Sequence, residues 1–122
     1  MGATRVIPCE EWETFFDEYT RRFLSPFGEA EETAFIEVTS ASLGVEVEAM
    51  CVPLFGMAYD RKSNAFELVL ANVDHLSYYP TEIVVVEEDD GFISALEVIR
   101  LDGTREIVQL QRRAPRTPVY AP

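Results

Sequence analysis

His75 is the only histidine in the 122-residue chain, and it is the first candidate for chemistry. Together with Asp74 and Ser77 it supplies the residue types of a hydrolytic triad. However, residues this close in sequence rarely meet in triad geometry, and the chain has no Gly-x-Ser-x-Gly nucleophile turn. A histidine in a polar loop is therefore the favoured interpretation, and we predict no catalytic residue.

Three tyrosines give His75 a second interpretation, as part of a small-ligand pocket. Tyr59 ends a predicted strand, and Tyr78 and Tyr79 follow His75 in the same polar segment. Aromatic walls with a few polar groups are typical of ligand pockets, which often lie at the mouth of a β-barrel. An enzyme or small-ligand site near Tyr59, His75, Tyr78 and Tyr79 is one functional hypothesis.

Neither a metal centre nor a cofactor is predicted. Cys9 and Cys51 show no Cys-x-x-Cys spacing, and a single histidine leaves little material for zinc. The acidic run 87–90 lacks the spaced ligands of an EF-hand loop and is typical of a solvated turn. Isolated glycines form no phosphate-binding loop. We expect Cys9 to be an ordinary thiol in the first helical turn and Cys51 to be buried and inert.

Charge excludes several classes of partner. Ten Lys and Arg stand against 22 Asp and Glu, which gives a net charge of −12. Negative charge of this size repels phosphate backbones and anionic lipids, so we expect no nucleic-acid or membrane partner. The N-terminus carries no apolar signal region, and no apolar run approaches the roughly 20 residues of a membrane helix. These features predict a cytoplasmic protein with reduced cysteines.

The charge is unevenly distributed along the chain. Residues 1–99 carry a net charge of −15, whereas residues 100–122 carry +3. Arg112, Arg113 and Arg116 supply most of this C-terminal positive charge. They can pair with the acidic body of their own chain, or they can bind another protein or a second copy.

An amphipathic helix is predicted over about residues 9–24. Five aromatic residues share one stripe of a 3.6-residue period: Trp12, Phe15, Phe16, Tyr19 and Phe23. Pro8 precedes the helix at a position where its missing N–H is harmless. Pro26 and Gly28 then end it.

Beyond residue 34 the hydrophobic period changes to two, which indicates β-strands. Strands are predicted over 35–39, 45–52, 55–59, 65–70, 83–87, 95–101 and 104–111, with an edge or bulge at Pro53. Residues 71–81 are predicted to be irregular, and Asp102-Gly103 to turn a hairpin. We therefore predict one α+β domain over 1–111, followed by a Pro- and Arg-containing tail over 112–122. Its helix packs on a curled antiparallel sheet or small barrel of five to six strands, an SH3-like or Sm-like roll.

Several short motifs carry a resemblance to a known family. They are the Ile7-Pro8-x-x-Glu11-Trp12-x-x-Phe15-Phe16-Asp17 opening, the segments 43–49 and 53–56, and Asp102-Gly103-Thr104. Together they resemble a bacterial family of small proteins classed only as a domain of unknown function. The resemblance covers about Thr4 to Arg112. It implies a stand-alone bacterial cytoplasmic domain and transfers no activity and no functional residue.

Three functional hypotheses follow. The first is a non-catalytic protein-interaction or accessory module, with a homodimer as the expected assembly. The second is an acidic inhibitor or immunity-type protein that binds a basic partner, which requires one acidic patch around Glu46, Glu48 and residues 87–90. The third is the small-ligand or enzyme site near His75.

Overall fold

The structure, a computed structural model, describes residues 2–24, 32–40, 44–71 and 74–112, without the side chains of residues 47–51. Its elements are β1 (Ala3–Ile7), a 3₁₀ turn (Cys9–Glu11), α1 (Trp12–Phe23), β2 (Glu32–Ser40), β3 (Gly44–Asp60), β4 (Ala65–Leu70), β5 (Asp74–Tyr78), β6 (Pro80–Glu87), β7 (Ile93–Arg100) and β8 (Arg105–Arg112). The strands form one sheet in the order β1-β6-β7-β8-β2-β3-β4-β5. All neighbouring pairs are antiparallel. Within these ranges, no helix has the length and apolar character needed to cross a membrane.

The α+β class and the N-terminal helix are confirmed, but the predicted number of strands is wrong. The described residues form eight strands rather than five or six. β1 is not among the predicted strands, because its sequence shows no alternation: four of its five residues are exposed and only Ile7 is buried. β5 was predicted to be irregular because polar residues occupy both of its faces. A bulge between Leu54 and Gly56 accounts for the irregularity predicted at Pro53.

The aromatic stripe of α1 covers one face of the sheet, which we call the inner face. Phe16 is fully buried, and its ring centroid lies 4.8 Å from that of Phe66 on β4. Trp12 is also buried and donates from Nε1 to the Ile7 carbonyl at 2.9 Å, which ties the start of the helix to β1. The inner face therefore holds the hydrophobic core. The helix contacts β4 through Phe16 and β1 through Trp12.

Thr20 gives α1 a polar anchor on β3. Its hydroxyl donates to the Met57 carbonyl at 2.6 Å and accepts from the Met57 N–H at 2.9 Å. The described β2–β3 ladder ends at Glu32 and Leu54, so β2 offers Met57 no partner. One side chain of the helix thus satisfies both backbone groups beside the bulge.

We predict that Thr20→Val destabilises the fold by about 1–3 kcal/mol, since it preserves the shape but leaves two backbone groups without partners. Thr14→Val on the exposed side of the same helix is the matched control, with an expected effect below about 0.5 kcal/mol. Urea unfolding followed by circular dichroism measures both. Equal stabilities of the two variants would contradict this role of Thr20.

Candidate functional site

The side of the sheet that faces away from α1 carries a group of partly exposed apolar side chains. Strand alternation places them there, because their neighbours in sequence, such as Val85 and Val98, are buried on the inner face. We call this group the outer apolar face; it consists of Val6, Phe35, Val84, Val86, Ala95, Ile99 and Ile107. It crosses five adjacent strands, β1, β6, β7, β8 and β2.

The strand register brings these residues into continuous rows. Val84 lies opposite Val6 on one side and Glu97 on the other, and Glu97 lies opposite Ile107. The next row joins Val86, Ala95, Gln109 and Phe35. Adjacent strands are about 4.8 Å apart, so each row of four residues is one continuous strip of surface about 14 Å long.

Two shallow hollows lie on this side of the sheet. The first has a volume of about 240 Å³ and is lined by Val84, Val86, Ala95, Leu96, Glu97 and Ile107. The second has a volume of about 150 Å³ and is lined by Thr33, Phe35, Gln109 and Gln111. An apolar centre is therefore bordered by a polar margin on β2 and β8.

The centre of the outer apolar face is electrically neutral. Glu97 accepts a bond from Arg105 Nη1 at 3.0 Å, so the one carboxylate that lines the larger hollow is paired. Glu82 and Glu37 lie on β6 and β2, where they occupy the margins of the face. The centre thus lacks the negative charge that dominates the chain as a whole.

Acidic side chains cluster instead on the helix side of the sheet. Five exposed carboxylates lie on the 3₁₀ turn and α1: Glu10, Glu11, Glu13, Asp17 and Glu18. Since α1 packs on the inner face, these acids and the outer apolar face lie on opposite sides of the sheet. Charge is segregated in space as well as along the sequence.

The prediction that His75 lies in a loop is wrong, because the residue belongs to strand β5. Its Nε2 bonds to Oε1 of Glu106, which is 2% exposed on β8. Oε2 of Glu106 is buried without a hydrogen-bond partner among the described residues. A carboxylate in this position depends on its histidine, since a buried unpaired charge is costly.

Two further bonds hold the end of β5 against the β7–β8 hairpin. The Leu101 N–H donates to the Tyr79 carbonyl at 2.9 Å, and Arg100 Nε donates to the Tyr78 carbonyl at 3.1 Å. His75 on β5 also bonds to Glu106 on β8, and since these two strands lie at distant positions in the strand order, that contact requires the sheet to curl. The His75–Glu106 pair is therefore one of the contacts that hold β5 against the β7–β8 hairpin.

The four residues of the predicted ligand site do not line one described cavity. Tyr59 is half-buried against Trp12, with ring centroids 5.0 Å apart, and its hydroxyl donates to Asn64 Oδ1 at 2.6 Å. Burial raises the pKa of the Tyr59 hydroxyl above its ordinary value. Tyr78 and Tyr79 are exposed and share a hollow of about 180 Å³ with Arg100, Leu101 and Asp102, but not with Tyr59 or His75.

Of the predicted interaction residues, Arg112 lies within the described part of the chain. Its Nη2 donates to Asp90 Oδ2 at 2.5 Å, and its guanidinium lies 4.0 Å from the ring centroid of Phe92. The hydrogen bond from Arg112 lowers the pKa of the Asp90 carboxyl. Arg112 thus pairs with the acidic body of its own chain, whereas Arg113 and Arg116 lie outside the described residues.

The acids named for the inhibitor hypothesis do not form one patch within the described residues. Glu46 is on β3, and β2, β8 and β7 separate that strand from Glu87 on β6. Cross-strand pairing places Ile83 of β6 in line with Glu46. Ile83 and Glu87 are four residues apart, which is about 13 Å along β6. Glu87 accepts a bond from Arg5 at 2.7 Å, and the side chain of Glu48 is not described.

The outer apolar face has a signal in the sequence. Residues 83–86 are Ile-Val-Val-Val, so β6 is apolar in both phases of its alternation. A sheet with one covered face needs only one apolar phase, and two indicate that both faces are covered. This run predicted the most apolar strand of the sheet, but not which neighbouring residues would extend the second face.

We predict that His75→Ala costs about 3–5 kcal/mol of stability because it leaves the buried Glu106 carboxylate without its partner. Leu76→Ala on the same strand is the control, since Leu76 is 41% exposed and points the other way. In a Glu106→Gln background the effect of His75→Ala is expected to shrink, because the buried carboxyl group that His75 partners is gone. Urea unfolding measures the stability of the single variants and of the double variant. Equal losses of stability for His75→Ala and Leu76→Ala would refute the structural pairing.

The comparisons with known proteins agree with the resemblance found in the sequence. The model of a family of unknown function, DUF5335, matches residues 3–119. An uncharacterised protein of Aquifex aeolicus (strain VF5) is 39% identical over 114 residues, which span 93% of this chain and 96% of that protein. No solved structure matches the chain. The resemblance to a family of small uncharacterised proteins is confirmed.

Proposed function

The chain belongs to the family of unknown function DUF5335, and from the geometry of its sheet we propose that it is a non-catalytic protein-interaction module. The observation that carries this proposal is the outer apolar face. Its side chains extend over five strands with no described element packed on them. Contiguous apolar surface of this kind marks interaction sites in folded domains.

The size of the face supports a protein as its ligand. Between its outermost rows it measures about 19 Å across the strands and about 14 Å along them, which is a few hundred Å². Each buried Å² of apolar surface contributes about 25 cal/mol, so covering it is worth several kcal/mol before the cost of association. The hollows are shallow and mostly apolar, which favours a broad complementary surface over a small polar ligand.

The small-ligand and inhibitor alternatives have weaker support. A ligand site needs polar groups that converge on one cavity, and Tyr59, His75, Tyr78 and Tyr79 are divided between the core and the surface. The inhibitor hypothesis places its acidic patch at Glu46, Glu48 and residues 87–90, and Glu46 and Glu87 lie on strands separated by three others. We also propose that the curled sheet is an SH3-like or Sm-like roll. The bonds between the end of β5 and the β7–β8 hairpin support this fold.

We predict that Ile107→Lys abolishes partner binding, because it places a charge at the centre of the outer apolar face. Val45→Lys is the matched control, since Val45 is 64% exposed and lies on β3, outside the face. Affinity capture with tagged wild type and both variants, each checked for native circular dichroism, makes the comparison. We expect wild type and Val45→Lys to retain a protein that Ile107→Lys does not retain. An untagged copy of this chain counts as such a protein. Equal retention by all three would sink the proposal.

A further inference from the structure

We infer that the occupant of the outer apolar face is a second copy of this chain, packed face to face about a two-fold axis. This inference rests on the proposed function and specifies its partner. In a two-fold interface each surface meets its own copy, so it must be self-complementary. The distribution of charge over the molecule meets that condition on this side of the sheet and fails it on the helix side.

The neutral centre of the face allows two copies to approach. Glu97 is paired with Arg105 of its own chain, so apposed faces bring together neutralised pairs and aliphatic side chains. A basic partner would be recognised by unpaired carboxylates, and the larger hollow has none among its lining residues. Charge complementarity therefore favours a copy of the same face over a cationic protein.

Each chain carries a net charge of −12, so two copies repel each other. The position of the helix reduces this repulsion. In the face-to-face dimer the two sheets are about 10 Å apart, and each helix lies behind its own sheet. The two acidic helix surfaces are then about 30 Å apart or more, beyond three Debye lengths of about 8 Å at physiological salt. Association through the helix side would instead bring Glu13, Asp17 and Glu18 against their own copies.

The area of the face sets the strength of the dimer. Specific interfaces bury about 800 Å² per partner, and those that bury less are weak or transient. The apolar centre reaches this class only with the polar margin around Thr33, Gln109 and Gln111. We therefore expect a reversible equilibrium between monomer and dimer that responds to dilution.

Sedimentation equilibrium of the full chain tests the inference directly. Wild type is expected to dimerise, Val84→Lys to weaken the dimer at least about 100-fold, and Val45→Lys to leave it unchanged. Val84→Thr, which keeps the shape of the side chain, is a milder variant in case Val84→Lys perturbs the fold, and it should weaken the dimer measurably.

Salt separates this dimer from one held by the arginines of the C-terminal segment. An apolar, neutral interface should not weaken between about 0.05 and about 0.5 M salt, whereas contacts of Arg112, Arg113 or Arg116 with acids of another copy should. A dimer that salt dissociates, or one that Val84→Lys leaves intact, overturns the inference. A strictly monomeric wild type also overturns it. In that case the capture experiment with Ile107→Lys decides separately whether the face binds a different protein.

Discussion

A β-sheet has two faces, and the described part of this chain has one α-helix with which to cover them. The aromatic stripe of α1 packs on the inner face, where Phe16 and Phe66 contact each other in the core. The outer face of β1, β6, β7, β8 and β2 then has no described covering, although its residues are largely aliphatic. The proposed function follows from this imbalance, because apolar area that no described element covers is available for a partner.

The buried polar groups explain why the helix and the sheet adopt this arrangement. Thr20 completes the backbone of β3 beside its bulge, and His75 bonds to the buried Glu106 where the sheet curls. Tyr19 accepts from the Ile93 N–H at 3.2 Å and donates to Glu32 at 3.1 Å, and burial raises the pKa of its hydroxyl. Each of these bonds joins two different elements of the fold, so together they orient the core and thereby define which face stays outside.

Local features of this fold could be predicted from the sequence, whereas non-local ones could not. The helix follows from aromatic spacing, and the β7–β8 hairpin follows from Asp102-Gly103, where Gly103 has a φ of 87°. β5 escaped prediction because the partner of His75 is Glu106, 31 residues away, and no local pattern reveals an inward-facing polar pair. The outer apolar face was visible only as the unbroken apolar run 83–86, since its other members come from four different strands.

The most direct test of the account is methyl NMR of the wild-type chain at a series of concentrations. If a second copy covers the outer apolar face, dilution shifts the methyl resonances of Val84, Val86 and Ile107. The methyls of Val85 and Val108, which are buried on the inner face of the same strands, should not move. Resonances of Val84, Val86 and Ile107 that are independent of concentration, or shifts confined to other surfaces, would contradict the account.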